Sequence, residues 1–75
     1  MKHMWLKFEH ADQIINFVRI MSRYDCDADV KCGSRVVDAK SIVGVLSLAK
    51  SKTVELILHS EECEKLMEEL APYAA

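Results

Sequence analysis

The sequence predicts an α+β open-faced β-sandwich: a four-stranded antiparallel sheet with three helices on one face, in the order βαββαβα. Three observations carry this. Apolar residues alternate with period two in some stretches and recur at helical spacing in others, and the two patterns take turns along the chain. A Gly-Ser pair separates two short alternating runs, which is the chemistry of a tight hairpin. The 75 residues, half of them hydrophobic with only two Gly and one Pro, suffice for one small core. A single domain over residues 1–75 is the expectation.

Each element has its own signal. Residues 3–8 alternate, with Met4, Leu6 and Phe8 on one face and His3, Trp5 and Lys7 on the other, so this is a strand with one buried side. From Ala11 the period changes: Ile14, Phe17, Val18 and Met21 form the stripe of an amphipathic helix. Ala28, Val30 and Cys32 alternate with outward Asp27, Asp29 and Lys31; Gly33-Ser34 supplies a type II′ turn, and Arg35 to Ala39 returns as the partner strand. Ser41 stands as an N-cap before Ile42, Val45 and Leu46, the stripe of a short helix. Gly44 inside that helix costs about 1 kcal/mol relative to Ala. Thr53 to Leu58 reads as a strand. Ser60 is expected to cap a last helix with Glu61 and Glu62 in its first turn and Cys63, Leu66, Met67 and Leu70 facing inward, Pro72 following its end.

Charge and cysteine usage narrow the function classes. Ten Lys and Arg against twelve Asp and Glu leave a net charge of −2, which lacks the electrostatic footprint of a nucleic-acid binder. The last sixteen residues hold five Glu and only Lys65, the pattern of a solvated helix face. No apolar run approaches the roughly 20 residues of a membrane span. Three cysteines, Cys26, Cys32 and Cys63, form no framework spacing, and Met1-Lys2-His3-Met4 is no signal peptide. A reducing cytoplasm is therefore expected, with the thiols acting as small hydrophobes. Zinc-ligand spacing, nucleotide loops and a Ser-His-Asp order are missing from the sequence, so neither metal nor cofactor is expected.

The segment from Arg23-Tyr24-Asp25 through the run Lys40-Ser41-Ile42-Val43-Gly44-Val45-Leu46-Ser47-Leu48 closely resembles HPr, the histidine phosphocarrier of the phosphoenolpyruvate-dependent sugar phosphotransferase system. The similarity is strongest to the Gram-positive type and its sister regulator Crh, and it extends without an internal gap from about His10 to Leu56. It implies an HPr-like fold in the element order above and a phosphocarrier rather than a stand-alone catalyst. It also implies that His10 is the phosphoryl acceptor, served by Enzyme I and by sugar-specific components. The chemistry suits the place: a His just before a helix sets a phosphoryl group over free backbone N–H groups at the positive helix end. Imidazole can act there as nucleophile and then as leaving group.

The family motif, Gly-apolar-His-x-Arg-Pro, is not kept around that residue, where the chain reads Phe8-Glu9-His10-Ala11-Asp12-Gln13. Asp12 takes the place of the phosphate-neutralising arginine, Glu9 that of an apolar residue and Gln13 that of the proline. Two carboxylates repel a dianionic phosphoryl group where a guanidinium would bond to it.

The resemblance further implies that Ser41 is a regulatory phosphosite for an ATP-dependent serine kinase, the modified form binding a catabolite-control transcription factor. A plain N-cap serine is the other reading of the same residue. Ile42, Val43, Gly44, Leu46 and Leu48 match the exposed patch on which HPr docks its partners; the other reading places most of these side chains in the core, as Val45 is. Two functions follow: a phosphocarrier working through His10 and regulated at Ser41, or a divergent, Crh-like non-carrier that binds proteins through Ser41 and the apolar patch. Asp12 separates them. His3 and His59, at strand ends, show no acidic partner at useful sequence spacing, and Trp5 faces outward on an end strand.

Overall fold

The computed structural model describes residues 1–49 and 53–75. Its elements are β1 (Lys2–Lys7), α1 (Ala11–Ser22), β2 (Ala28–Cys32), β3 (Arg35–Asp38), α2 (Ile42–Ala49), β4 (Thr53–Leu58) and α3 (Glu64–Leu70), followed by a 3-10 turn at Ala71–Tyr73. The strands form one antiparallel sheet in the order β1-β4-β2-β3. This is the βαββαβα open sheet that the alternation of periods predicts.

The register explains the two faces. Met4 pairs with Leu56, Leu56 with Val30 and Val30 with Val37, so one row across the sheet is aliphatic and points to the helices. One step along, Trp5, Glu55, Lys31 and Val36 form the next row and point away from them. Trp5 and Val36 are accordingly exposed.

The helices bury the stripes their spacing assigns: Ile14, Phe17, Val18 and Met21 from α1, Val45, Leu48 and Ala49 from α2, Leu66 and Leu70 from α3. Each of these side chains apart from Ala49 contributes about 1.5–3 kcal/mol against the entropy of ordering the chain. Phe8, just past β1, packs its ring against Phe17 at 5.2 Å and Tyr73 at 5.6 Å between centroids. That aromatic cluster fixes the point from which the chain enters α1. Gly33 takes φ 63° at the first central position of the β2–β3 turn, between the paired Cys32 and Arg35, as a type II′ turn requires.

The last helix begins later than expected. Glu64 is its first residue and Cys63 its N-cap, so neither Ser60 nor the Glu61-Glu62 pair belongs to it. The reason is tertiary. Cys63 is 2% exposed, and carrying it into the core bends residues 60–61 away from a helical path. Arg23 reaches Glu69 at 2.5 Å and the Tyr24 hydroxyl donates to the same carboxylate, which ties the end of α1 to α3. Past the 3-10 turn, Ala74 bridges Leu6 and the Ala75 N–H donates to the Trp5 carbonyl at 2.9 Å. These two residues lie along the outer margin of β1.

Candidate functional site

The first turn of α1 is built from local hydrogen bonds. His10 is the N-cap, with extended backbone at φ −135° and ψ 151°, and its side chain is exposed. Its carbonyl accepts from the Gln13 N–H at 3.1 Å. The Gln13 carboxamide oxygen turns back and accepts from the Glu9 N–H at 2.7 Å and the His10 N–H at 3.3 Å. Gln13 therefore satisfies two donors just ahead of the helix, the back-reaching half of a capping box. The N–H groups of Ala11 and Asp12 belong to the turn that has no intrahelical acceptor. Glu9 and Asp12 are exposed beside His10. The arginines of α1 and its C-cap, Arg19 and Arg23, lie at the other end of the helix, the second paired with Glu69.

Ser41 is built into the second helix in the same way. The Asp38 side chain accepts from the Lys40 N–H at 2.8 Å and the Asp38 carbonyl from the Ser41 N–H at 3.0 Å, so the chain turns tightly out of β3. The Ser41 hydroxyl oxygen accepts from the Gly44 N–H at 3.1 Å, and the Ser41 carbonyl from Val45 at 2.9 Å. Lys40 extends away from this turn, its ammonium donating to the Tyr24 carbonyl at 2.8 Å. Gly44 relieves crowding inside the chain: a Cβ there would lie 3.1 Å from both the Ser41 hydroxyl and the Val37 Cβ.

The apolar run after Ser41 divides between surface and core. Ile42 is 44% and Val43 79% exposed, while Leu46 is half-buried. Leu48 does not belong with them. It is 5% exposed, because it lies three residues after Val45 and falls on the same inward stripe. The surface patch is thus Ile42, Val43 and part of Leu46. The α1 stripe leaves Ile15 outside the core and exposed, a residue that sequence reasoning passed over although it lies off that stripe. Gln13 was missed as a capping residue too; its position three after the N-cap was the signal.

α1 and α2 pack against each other, which places the two candidate segments in one helical layer. No hydrogen bond joins His10 to Ser41 among the described residues. The other histidines do have acidic partners, contrary to expectation: His3 Nδ1 lies 2.5 Å from Glu55 and His59 Nε2 lies 2.8 Å from Asp29. His3 and Glu55 meet across the paired strands β1 and β4, and His59, just past β4, meets Asp29 on β2, so sequence spacing could not reveal either pair. Trp5 is exposed on the face away from the helices.

A family model for the PTS HPr component phosphorylation site matches residues 9–75. The chain belongs to the HPr family. HPr proteins are phosphocarriers of the phosphotransferase system, and the proteins of that system are the partners the family implies. No curated protein matches at a significant level.

Solved HPr structures agree with the fold. HPr from Thermoanaerobacter tengcongensis superposes with a TM-score of 0.79 at 25% identity, over 96% of this chain and 89% of that one. The phosphocarrier HPr of Bacillus anthracis gives 0.75 at 25% identity, over 99% and 94%. Crh of Bacillus subtilis, a catabolite-repression protein described as a domain-swapped dimer, gives 0.69 at 33% identity, over 91% and 80%. No helix of the described residues is long and apolar enough to cross a membrane.

Proposed function

We propose that the chain is a phosphocarrier whose His10 accepts a phosphoryl group from Enzyme I and passes it to sugar-specific components, in the cytoplasm. The observation that supports this most is the exposed His10 at the N-cap of α1, within the residues matched by the phosphorylation-site model. An imidazole nitrogen attacks phosphorus, the new P–N bond forms as the donor bond breaks, and the second transfer reverses the sequence. Position and charge complementarity are what such a site supplies. Here the helix end favours the phosphoryl group and the Glu9 and Asp12 carboxylates oppose it.

Incubation with phosphoenolpyruvate and Enzyme I should add about 80 Da, one phosphoryl group, in an acid-labile form. The His10→Ala variant should stay unlabelled. Equal labelling of that variant removes His10 from the reaction.

The second reading is a Crh-like non-carrier, and Asp12 in the place of arginine is the observation that favours it. In that reading Ser41 and the patch of Ile42, Val43 and Leu46 do the work: a serine kinase modifies Ser41, and a catabolite-control transcription factor binds the product. The Ser41 hydroxyl already sits at the start of α2, where a phosphate gains from the dipole and from backbone donors. A competent serine kinase with ATP should label wild type and spare Ser41→Ala. No label on wild type from such a kinase rejects the regulatory role.

A further inference from the structure

Two thiols 37 residues apart in sequence meet inside the fold, and the Cys63 thiol donates to the Cys26 sulfur at 2.9 Å. Cys63 is the N-cap of α3, and Cys26 lies in the connection between α1 and β2. Backbone oxygens flank the pair: the Ser60 carbonyl 3.3 Å from the Cys63 sulfur and the Glu62 carbonyl 3.8 Å from that of Cys26. Each sulfur is thus held against the other by the chain around it. Cys32 lies apart at the end of β2, half-buried, and makes no sulfur contact among the described residues. A disulfide has its sulfurs about 2.05 Å apart, so a movement of about one ångström closes the bond.

We infer that Cys26 and Cys63 are a redox-active dithiol, a modification site that takes a low-molecular-weight disulfide as its oxidant and becomes an intrachain disulfide. Cys26, 8% exposed against 2% for Cys63, is the thiol that meets the oxidant. Its thiolate attacks one sulfur of the oxidant, whose S–S bond breaks; one thiolate leaves and takes up a proton. Cys63, having released its own proton, then attacks the Cys26 sulfur of the mixed disulfide and expels the second thiolate. Two protein thiols have lost two protons and two electrons, and one disulfide has become two thiols. Burial pushes the Cys63 thiol up to about 11, which makes its thiolate scarce, and its contact with Cys26 is what brings it to the second step.

The bond would close a loop that contains β2, β3, α2 and β4 and would tie the start of α3 to the end of α1. It lies at the end of α1 remote from His10, so it stands whether or not His10 carries phosphate.

The test uses the full chain in glutathione buffers of increasing oxidised fraction, acid-quenched and alkylated. Trypsin cleaves so that Cys26 falls in residues 24–31, Cys32 in 32–35 and Cys63 in 53–65. The expected product is lighter by ~2 Da, the two hydrogens lost. Its 24–31 and 53–65 peptides should be linked, with Cys32 alkylated, and dithiothreitol should reverse the change. Its Tm should exceed that of the reduced protein by on the order of 10 °C, from the long loop closed. Cys32→Ser, a near-isosteric change at a half-buried side chain on the margin of the core, should oxidise identically. A link to Cys32, glutathione adducts without an internal bond, no oxidation of the folded chain, or an unchanged or lower Tm would each overturn the assignment.

Discussion

Around His10 the start of α1 carries backbone donors without helical acceptors, with exposed Glu9 just ahead of the N-cap and exposed Asp12 in the first turn. Unit charges about 4 Å apart in water interact by about 1 kcal/mol, and a phosphoryl dianion roughly doubles that. Reversing one charge is therefore worth a tenfold effect or more. Asp12→Arg should raise the initial rate of acid-labile labelling by Enzyme I at least about tenfold, a gain of ~1.4 kcal/mol. A rate that stays flat would mean that Asp12 does not face the phosphoryl group. Gln13 has a different task, since its carboxamide holds the two N–H groups ahead of the helix. Gln13→Ala should lower stability by about 0.5–1.5 kcal/mol in urea unfolding. Both residues were readable as departures from a motif. The histidine–carboxylate pairs were not, because His3 and Glu55 become neighbours only once β1 and β4 take their register.

At the scale of elements, α2 shows how a short helix serves two masters. Its inward stripe of Val45, Leu48 and Ala49 is core, and its first turn leaves Ile42 and Val43 outside. Val43→Asp should change the unfolding free energy obtained from urea by no more than about 0.5 kcal/mol, because the side chain contacts mainly solvent. It should raise the KM of Enzyme I for this chain about tenfold if the patch docks that enzyme, a loss of ~1.4 kcal/mol. Helical spacing alone separates Val43 from Val45 and could have assigned Leu48 to the interior. The start of α3 was beyond such reasoning. Ser60 with Glu61 and Glu62 behind it carries local signals for a helix beginning, yet the helix starts only after Cys63, which meets Cys26 37 residues away.

The molecule as a whole holds protons that its unfolded chain would release. The Cys63 thiol is pushed up to about 11 by burial and by its bond to Cys26. The Tyr24 hydroxyl is raised above its ordinary value, first by its hydrogen bond to Glu69 and then by burial. Both groups are neutral when protonated, so above the ordinary thiol value of about 8.5 the folded state binds more protons than the unfolded one. Stability should be full below that value and fall as pH rises toward about 11. Urea midpoints measured from pH 7 to 11 under reductant check this, and a midpoint rising with pH contradicts it. The sheet and core behind these groups were legible in period and turn chemistry, whereas the proton balance depends on which distant residues meet.

The two residues beside β1 have a further consequence. A sheet's rims are where identical molecules can stitch themselves together, and Ala74 and Ala75 occupy part of one rim while β3, only four residues long with Arg35 and Asp38 at its ends, forms the other. Trimming residues 74–75 should bare the first rim, and light scattering should then grow with concentration where the full chain stays dispersed. Two alanines without catalytic chemistry would in that case act as the molecule's selvedge, keeping copies of the chain from sticking to one another.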